Sequence, residues 1–327
     1  AIIGFKALGG MELFKNFHFF EKPSQDELIA KSMSVADFTK IPDEYEIDRT
    51  ANLLGYKGVL GHEFTGVVEE INADDKSLLN KRVVGEINCG CGECEWCNQG
   101  LERHCPNRST LGIWQREGCF AEYVCLPVKN LLEIPENVSD EEAVFTEPLA
   151  AALEILEQIH IPPYKKIAVH GDGKLGLMIA LALNAAGLDL ILIGKHENKL
   201  EIAKKQGVKT KLLSDVEIKK EFDFVVEATG SISGFETSLA LTKPRGTLIL
   251  KSTIAASKEF NFAPVVVDEI TIVGSRCGQF APALRLLESG RIDVKPLISD
   301  IFELNESIAA FERNKEKSSI KVIVKVK

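Results

Sequence analysis

A glycine-rich turn between a predicted strand and a predicted helix constrains the fold of this chain most strongly. It has the pattern G-x-G-x-x-G and reads Gly171-Asp172-Gly173-Lys174-Leu175-Gly176. The first glycine allows a tight turn, the second lets the backbone approach a pyrophosphate, and the third lets helix and strand pack closely. With phosphates at the helix N-terminus, the turn predicts a dinucleotide site, which the motif residues Gly171, Gly173, Lys174, Leu175 and Gly176 would form.

The pattern of predicted secondary structure changes along the chain and predicts two domains. Before Pro148 the chain has short β-rich stretches broken by glycine and proline, at 66–71, 81–87 and 120–126. After a helical stretch at 149–159, short apolar stretches alternate with helical ones, at 166–169, 174–186, 189–193, 198–206, 223–227, 247–250 and 270–274. Apolar strands alternating with helices are typical of a parallel sheet covered on both faces. We therefore predict an α/β protein with a β-rich domain at 1–150 and a doubly wound, Rossmann-type domain at 151–280.

The residues after the second strand of that domain bear on which dinucleotide binds. An acidic residue there would hydrogen-bond the adenosine 2′-hydroxyl of NAD, but the position holds Gly194, followed by Lys195 and His196. Glycine leaves room for a 2′-phosphate, and the two basic side chains would neutralise it. The residues favour NADP over NAD. The alternative is that Lys195 is an ordinary solvated cation at a strand end.

Four cysteines occur in a Cys-x2-Cys-x2-Cys-x7-Cys run, at Cys91, Cys94, Cys97 and Cys105. Four thiolates at these spacings suit one tetrahedral, structural zinc ion. The surrounding loop at 88–107 lacks apolar periodicity, so metal ligation would order it. Disulfides are the alternative for an even total of eight cysteines, but the remaining four are scattered and no signal-like start precedes them. We expect a reduced, cytoplasmic protein.

Composition excludes two classes of partner. The net charge of -9 argues against nucleic acid, which normally binds a basic surface. No segment approaches the roughly 18 uninterrupted apolar residues that a membrane span needs. A small-molecule ligand is the remaining expectation.

Several motifs occur in a recognisable order along the whole chain. They are Gly61-His62-Glu63 followed by Gly66, then Val83-Val84-Gly85, the four-cysteine loop, Glu147-Pro148-Leu149-Ala150, the glycine turn and Glu227-Ala228-Thr229-Gly230. In this respect the chain resembles the medium-chain, zinc-containing alcohol dehydrogenase family, and within it the polyol, threonine and glucose dehydrogenase branch. The resemblance implies a GroES-like catalytic domain, a Rossmann domain that uses Thr229 and Gly230 toward the cofactor, and a return of residues 281–327 to the catalytic domain. It also implies a homodimer or homotetramer.

The resemblance further implies a catalytic zinc, with one departure from the family pattern. Family ligands are a cysteine in a Gly-x-Cys-Gly-Thr/Ser-Asp motif, the histidine of Gly-His-Glu, and a third Glu or Cys. When the segment here is aligned by Asp37, Ser34 stands where that cysteine is expected. His62, Glu63 and Glu147 can still provide nitrogen and oxygen ligands, with Asp37 as a further carboxylate.

Two functions stay open at this point. The first is a zinc-dependent, NADP(H)-linked dehydrogenase or reductase of a small alcohol, polyol or sugar. The second is a family member that binds NADP without the catalytic zinc, as a metal-free reductase or as a non-catalytic sensor or scaffold. A serine hydroxyl is a poor zinc ligand unless other groups already hold the metal, which is why the second function is considered.

Overall fold

The computed structural model describes residues 2–7, 58–253 and 260–326 of the 327-residue chain. Ser34 and Asp37 lie outside the described residues. The chain divides into two compact units, one formed by Ala1–Val144 with Ile298–Lys327 and the other by Phe145–Leu297. Residues 281–297 therefore lie in the second unit, and the chain returns to the first unit from Ile298 onward.

The first unit consists mainly of strands, whereas strands and helices alternate in the second. Within the described residues the strands are β1 (Ile2–Ala7), β2 (Gly66–Ile71), β3 (Arg82–Gly85), β4 (Asn88–Cys89), β5 (Ser109–Thr110), β6 (Tyr123–Pro127), β7 (Leu131–Glu133), β8 (Ile167–His170), β9 (Leu190–Gly194), β10 (Lys209–Leu212), β11 (Phe222–Glu227), β12 (Thr242–Leu250), β13 (Thr271–Gly274), β14 (Ile298–Glu303) and β15 (Lys321–Lys325). The α-helices are α1 (Glu95–Asn98), α2 (Asp140–Ala143), α3 (Thr146–Gln158), α4 (Lys174–Ala185), α5 (Glu197–Lys205), α6 (Ile232–Leu241), α7 (Ala263–Val267), α8 (Phe280–Glu288) and α9 (Ser307–Lys315).

The first unit is built on a five-stranded antiparallel sheet in the order β6-β1-β2-β3-β7. Three of its apolar side chains, Val68, Val83 and Leu126, are completely buried. The C-terminal segment adds the parallel pair β14–β15 and helix α9, whose Phe311 packs edge-on against Phe120 with ring centroids 5.4 Å apart. The end of the chain is thus part of this unit's core.

The second unit contains a six-stranded parallel sheet in the order β10-β9-β8-β11-β12-β13. Numbered within the unit, this order is 3-2-1-4-5-6, the dinucleotide-binding arrangement. All four residues of the first strand, β8, are buried, as expected for a central parallel strand. The apolar core of this sheet includes Ala168, Ile193, Val225 and Leu248. The α/β class predicted from the sequence is confirmed.

The helix predicted at 149–159 begins earlier than expected. The sequence predicts a helix from Leu149, but α3 begins at Thr146, so Pro148 lies in its first turn. Proline is tolerated there because the first-turn N–H groups have no partner within the helix. Glu147 consequently projects from the start of a helix and not from a loop. No helix in the described part of the chain has both the length and the apolarity to span a membrane.

Candidate functional site

The four predicted cysteine ligands come together in the first unit. Cys94 is the residue before α1, Cys97 lies within it, and Cys105 ends the short 3-10 turn Glu102–His104. Together with Cys91 they place four Sγ atoms within 4.8 Å of one another. The Sγ atom of Cys91 lies 4.0 Å from that of Cys97 and 3.6 Å from that of Cys105. Zn–S bonds of about 2.3 Å in a tetrahedron separate the sulfurs by about 3.8 Å, so the donor set fits zinc.

The loop around these cysteines is shaped for such a cluster. A Cβ atom on Gly90 would lie 2.7 Å from the Sγ atom of Cys97, so only glycine leaves that sulfur in place. Peptide N–H groups of Glu93 and Cys94 lower the pKa of the exposed Cys91 thiol to about 6, which favours the thiolate that a metal requires. Nearby, Trp96 packs against His104 with ring centroids 5.7 Å apart.

A second group of predicted ligands lies on a rigid segment of the same unit. Backbone hydrogen bonds join residues 59–61 to residues 118–120, from Gly118 N to Val59 O at 2.7 Å and from Cys119 N to Gly61 O at 2.9 Å. Gly61 has a φ of 95°, and a Cβ atom there would lie 2.9 Å from the Phe120 ring. The following residues, His62 and Glu63, are both half-buried.

A lysine that sequence reasoning missed holds Glu63. Lys321, on β15, is only 6% exposed, and its ammonium group donates a hydrogen bond to Glu63 Oε2. The same Nζ atom lies 3.3 Å from the backbone oxygen of Val144. The two residues are 258 positions apart in sequence, so no local sequence pattern predicts the pair. A buried ammonium compensates the charge of this carboxylate and fixes its position.

Glu147 and the glycine motif lie in the second unit. Glu147 is half-buried in the first turn of α3. In the glycine turn, Gly171 has a φ of 121° and a Cβ atom there would lie 2.5 Å from Ala228 O. A Cβ atom on Gly176 would lie 1.9 Å from Gly171 O, which explains the third glycine as a close-packing position.

The middle glycine leaves the space that a pyrophosphate needs. A Cβ atom on Gly173 would meet nothing within 4 Å. Gly173 is also the N-cap of α4 and provides no side-chain hydrogen bond to the helix N-terminus. Lys174 and Leu175 lie in the first turn of α4, and the backbone N–H groups at a helix N-terminus can donate to an anion. This geometry fits the dinucleotide that the motif predicts.

Gly194 ends β9 and is followed by Lys195 and His196, but the physical role of the glycine is different from the one expected. The sequence predicts that Gly194 leaves room for a phosphate. In the structure a Cβ atom on Gly194 would lie 2.5 Å from the Cβ and Oδ2 atoms of Asp172. The Asp172 side chain thus fills the space beside Gly194, and glycine is needed there because of that side chain.

Thr229 and Gly230 close the opposite side of the glycine turn, after β11. The Oε1 atom of the fully buried Glu227 accepts hydrogen bonds from Thr229 N and Thr229 Oγ1, both at 2.6 Å. Gly230 has a φ of 69°, and its N–H donates to Ser252 Oγ at 2.8 Å. These bonds tie the carboxyl ends of neighbouring strands β11 and β12 together, where ligands of parallel sheets bind.

Lys251, at the end of β12, is a buried cation of the same region. Its Nζ atom donates to Ala151 O at 2.6 Å and to Arg276 O at 2.9 Å. It also donates to Ser275 Oγ at 3.0 Å. Burial lowers its pKa to about 8. The hydrogen bonds of Lys251 therefore link α3 to the residues after β13.

Comparisons with known proteins agree with the motifs. The sequence matches the alcohol dehydrogenase GroES-like domain over residues 33–136 and the zinc-binding dehydrogenase domain over residues 175–289. A sorbitol dehydrogenase of Arabidopsis thaliana is 30% identical over 266 residues, which cover 76% of this chain and 73% of that protein. The chain belongs to the zinc-containing alcohol dehydrogenase family. A D-arabitol-phosphate dehydrogenase of Enterococcus avium is 29% identical over 285 residues, 81% of each chain.

The fold of the family is also found among solved structures. The alcohol dehydrogenase TADH from Thermus sp. ATN1 is 26% identical, with a TM-score of 0.75 and coverage of 83% of this chain and 86% of that one. Membership in the zinc-containing alcohol dehydrogenase family makes the protein an alcohol dehydrogenase-like oxidoreductase with a GroES-like and a Rossmann domain. It also supports the prediction of zinc and a nicotinamide nucleotide as cofactors.

Proposed function

We propose that this member of the zinc-containing alcohol dehydrogenase family is a zinc-dependent, NADP(H)-linked enzyme that interconverts a small polyol or sugar alcohol with its carbonyl compound. The observation that carries the proposal is the His62-Glu63 pair, which directly follows residues 59–61 that backbone hydrogen bonds join to residues 118–120. The two curated relatives described above are named for sorbitol and for D-arabitol phosphate, and both names denote polyol substrates.

His62, Glu63 and Glu147 would hold the catalytic zinc, with Asp37 as a further carboxylate. One imidazole and two carboxylates form a reasonable zinc ligand set. The residue type at position 63 offers a second ligand oxygen, since a carboxylate has two oxygens and the hydrogen bond from Lys321 goes to Oε2 of Glu63. When bound, such a zinc ion polarises the substrate oxygen during hydride exchange with the nicotinamide.

Ser34 is the position at which the chain departs from the metal-ligand pattern of its family. A serine hydroxyl is far less acidic than a cysteine thiol, so Ser34 contributes little to holding the metal. We infer that the carboxylates take over this task. Ala36, two residues on, has no hydroxyl to relay a proton. The proton would instead leave through water or the nicotinamide ribose.

The second unit would bind NADP(H). The N–H groups at the start of α4 would donate hydrogen bonds to the pyrophosphate, and Lys195 and His196 would face the adenosine 2′-phosphate. Thr229 and Gly230 would border the cofactor on the other side of the glycine turn. We expect NADPH to bind at least about tenfold more tightly than NADH, a difference of about 1.4 kcal/mol.

The alternative function is that of a family member without the catalytic zinc, a metal-free reductase or a non-catalytic sensor or scaffold. The observation that favours it is the Lys321–Glu63 ion pair, since Glu63 already has a resident cation. Such a protein would bind NADPH but would not depend on His62.

The experiment is a screen of small polyols, sugar alcohols and their carbonyl forms with NADP(H) and NAD(H), run on the wild type and on two variants. His62→Ala should lower the activity at least about a hundredfold while NADPH binding is retained, because the cofactor residues lie in the other unit. His160→Ala, which removes an exposed histidine, is the matched control and should have wild-type activity. Full activity of His62→Ala would contradict the zinc-dependent mechanism, and a wild type inactive on every substrate would support the alternative.

A further inference from the structure

Asp172, the second residue of the glycine turn, is turned toward the neighbouring strand. Its Oδ2 atom accepts hydrogen bonds from the backbone N–H groups of Lys195 at 2.7 Å and His196 at 2.6 Å. The side chain is almost completely buried. Burial alone would raise the pKa of Asp172, but the hydrogen bonds from His196 and Lys195 outweigh it and lower that pKa below its usual value. Asp172 is thus an ionised carboxylate clamped to the turn between β9 and α5.

This carboxylate occupies the place of the acid that many dinucleotide domains have at the end of the second strand. Any side chain at position 194 would collide with Asp172, since the Cβ atom would lie 2.5 Å from it. The two acids are therefore mutually exclusive. Because Asp172 Oδ2 already accepts two peptide hydrogens and His196 Nδ1 lies 3.1 Å from both oxygens, the carboxylate is poorly available to a ribose 2′-hydroxyl.

The same carboxylate also holds a basic side chain of the turn. The Nδ1 atom of the His196 ring lies 3.1 Å from both carboxylate oxygens of Asp172. The imidazole is therefore held by one edge, and its Nε2 atom is directed away from Asp172. Lys195 beside it is exposed. Lys199, in the first turn of α5, is buried, and burial lowers its pKa while the nearby Asp172 charge acts in the opposite direction.

We propose that Asp172 is a positioning residue for recognition of a phosphate monoester on the adenosine ribose, because it clamps the β9–α5 turn and orients His196 toward that phosphate. The inference rests on the proposed use of NADP(H) and adds to it the residue that sets the selectivity. Asp172 itself does not touch the phosphate. Its effect passes through the His196 ring and the Lys195 backbone.

The test compares two cofactor fragments that differ only in the 2′-phosphate, adenosine 2′,5′-bisphosphate and 5′-AMP, by calorimetric titration. The readout is the ratio of their dissociation constants, which a general weakening of the site would leave unchanged. In the wild type the bisphosphate should bind at least about tenfold more tightly. Asp172→Asn, which keeps the size but removes the charge, should reduce this preference about tenfold while 5′-AMP binding changes by less than about twofold.

Three further variants make the outcome decisive. His196→Ala should lose the preference as Asp172→Asn does, and Lys205→Ala, an exposed lysine of the same helix, should retain it. Gly194→Ala displaces the Asp172 side chain without altering its charge and should also lose the preference, so it replaces Asp172→Asn if that variant does not fold.

The possible failures are distinguishable. A wild type that binds both fragments equally or prefers 5′-AMP overturns the NADP(H) proposal together with this one. A wild type that prefers the bisphosphate, with Asp172→Asn unchanged or even more selective for it, overturns only the role of Asp172. Equal weakening of both fragments in Asp172→Asn means that the residue serves the fold alone and also overturns the proposal.

Discussion

Replacing Lys321 with methionine should destabilise the first unit strongly. The Lys321 side chain is 6% exposed and its partner Glu63 is 17% exposed, so Lys321→Met leaves a mostly buried carboxylate without its ammonium. Removing one partner of a buried pair costs about 3 kcal/mol. Lys325→Met on the same strand is the matched control. Its pair with Glu141 is 47% and 31% exposed, and its loss should cost less than about 0.5 kcal/mol.

The assay is urea unfolding followed by tryptophan fluorescence. Both tryptophans of the chain, Trp96 and Trp114, lie in the first unit and therefore report on the unit that holds the pair. Zinc content should be matched between samples, because metal loss would itself destabilise the unit. In the double variant with Glu63→Gln, part of the loss should be recovered, with a coupling free energy of about 2 kcal/mol. If Lys321→Met unfolds at the same urea concentration as Lys325→Met, the ion-pair argument is refuted.

Three other perturbations test separate parts of the account. Partial burial would raise the pKa of Asp223, but hydrogen bonds from Lys243 and from other groups hold that pKa at about 2. The Asp223 carboxylate therefore stabilises the fold fully above its unfolded pKa of about 3.8. This contribution is lost as the pH falls through about 2. Asp223→Asn should accordingly lose about 1 to 2 kcal/mol at neutral pH and flatten the acid unfolding curve between pH 4 and pH 2, and an unchanged curve would contradict the assignment. Ser34→Cys should slow removal of the catalytic metal by a chelator, and unchanged retention would mean that the family cysteine aligns elsewhere. Cys94→Ser should lower the unfolding midpoint and release one zinc ion while NADPH binding by the other unit persists, and retention of that zinc would exclude the four-sulfur site.

The elements and motifs that depend on local sequence could be predicted well. The glycine turn predicts a strand before it and a helix after it, and in the structure β8 and α4 lie on either side of the turn. The spacing of Cys91, Cys94 and Cys97 likewise brings their sulfurs together over a single short loop. In both cases the interacting residues are close in sequence, so the pattern carries the geometry.

Contacts between distant residues could not be predicted. Lys321 reaches Glu63 from the end of the chain, and a lysine in a C-terminal strand is ordinarily a solvated residue. Asp172 was visible in the glycine turn, but its side chain acts on the next strand, and only the packing against Gly194 shows why that position is glycine. The sequence thus identified Gly194 as a notable position at the strand end, but it did not show that the Asp172 side chain is the reason for the glycine.

The most direct test of the central claim, a catalytic zinc held without a cysteine ligand, is the zinc content of protein purified without chelator. We predict two zinc ions per chain in the wild type and one in His62→Ala, with His160→Ala retaining two. The structural ion should stay in all three because its four thiolates are unchanged. A single zinc ion per wild-type chain would contradict the claim and leave the protein as an NADP-binding member of its family without the metal chemistry.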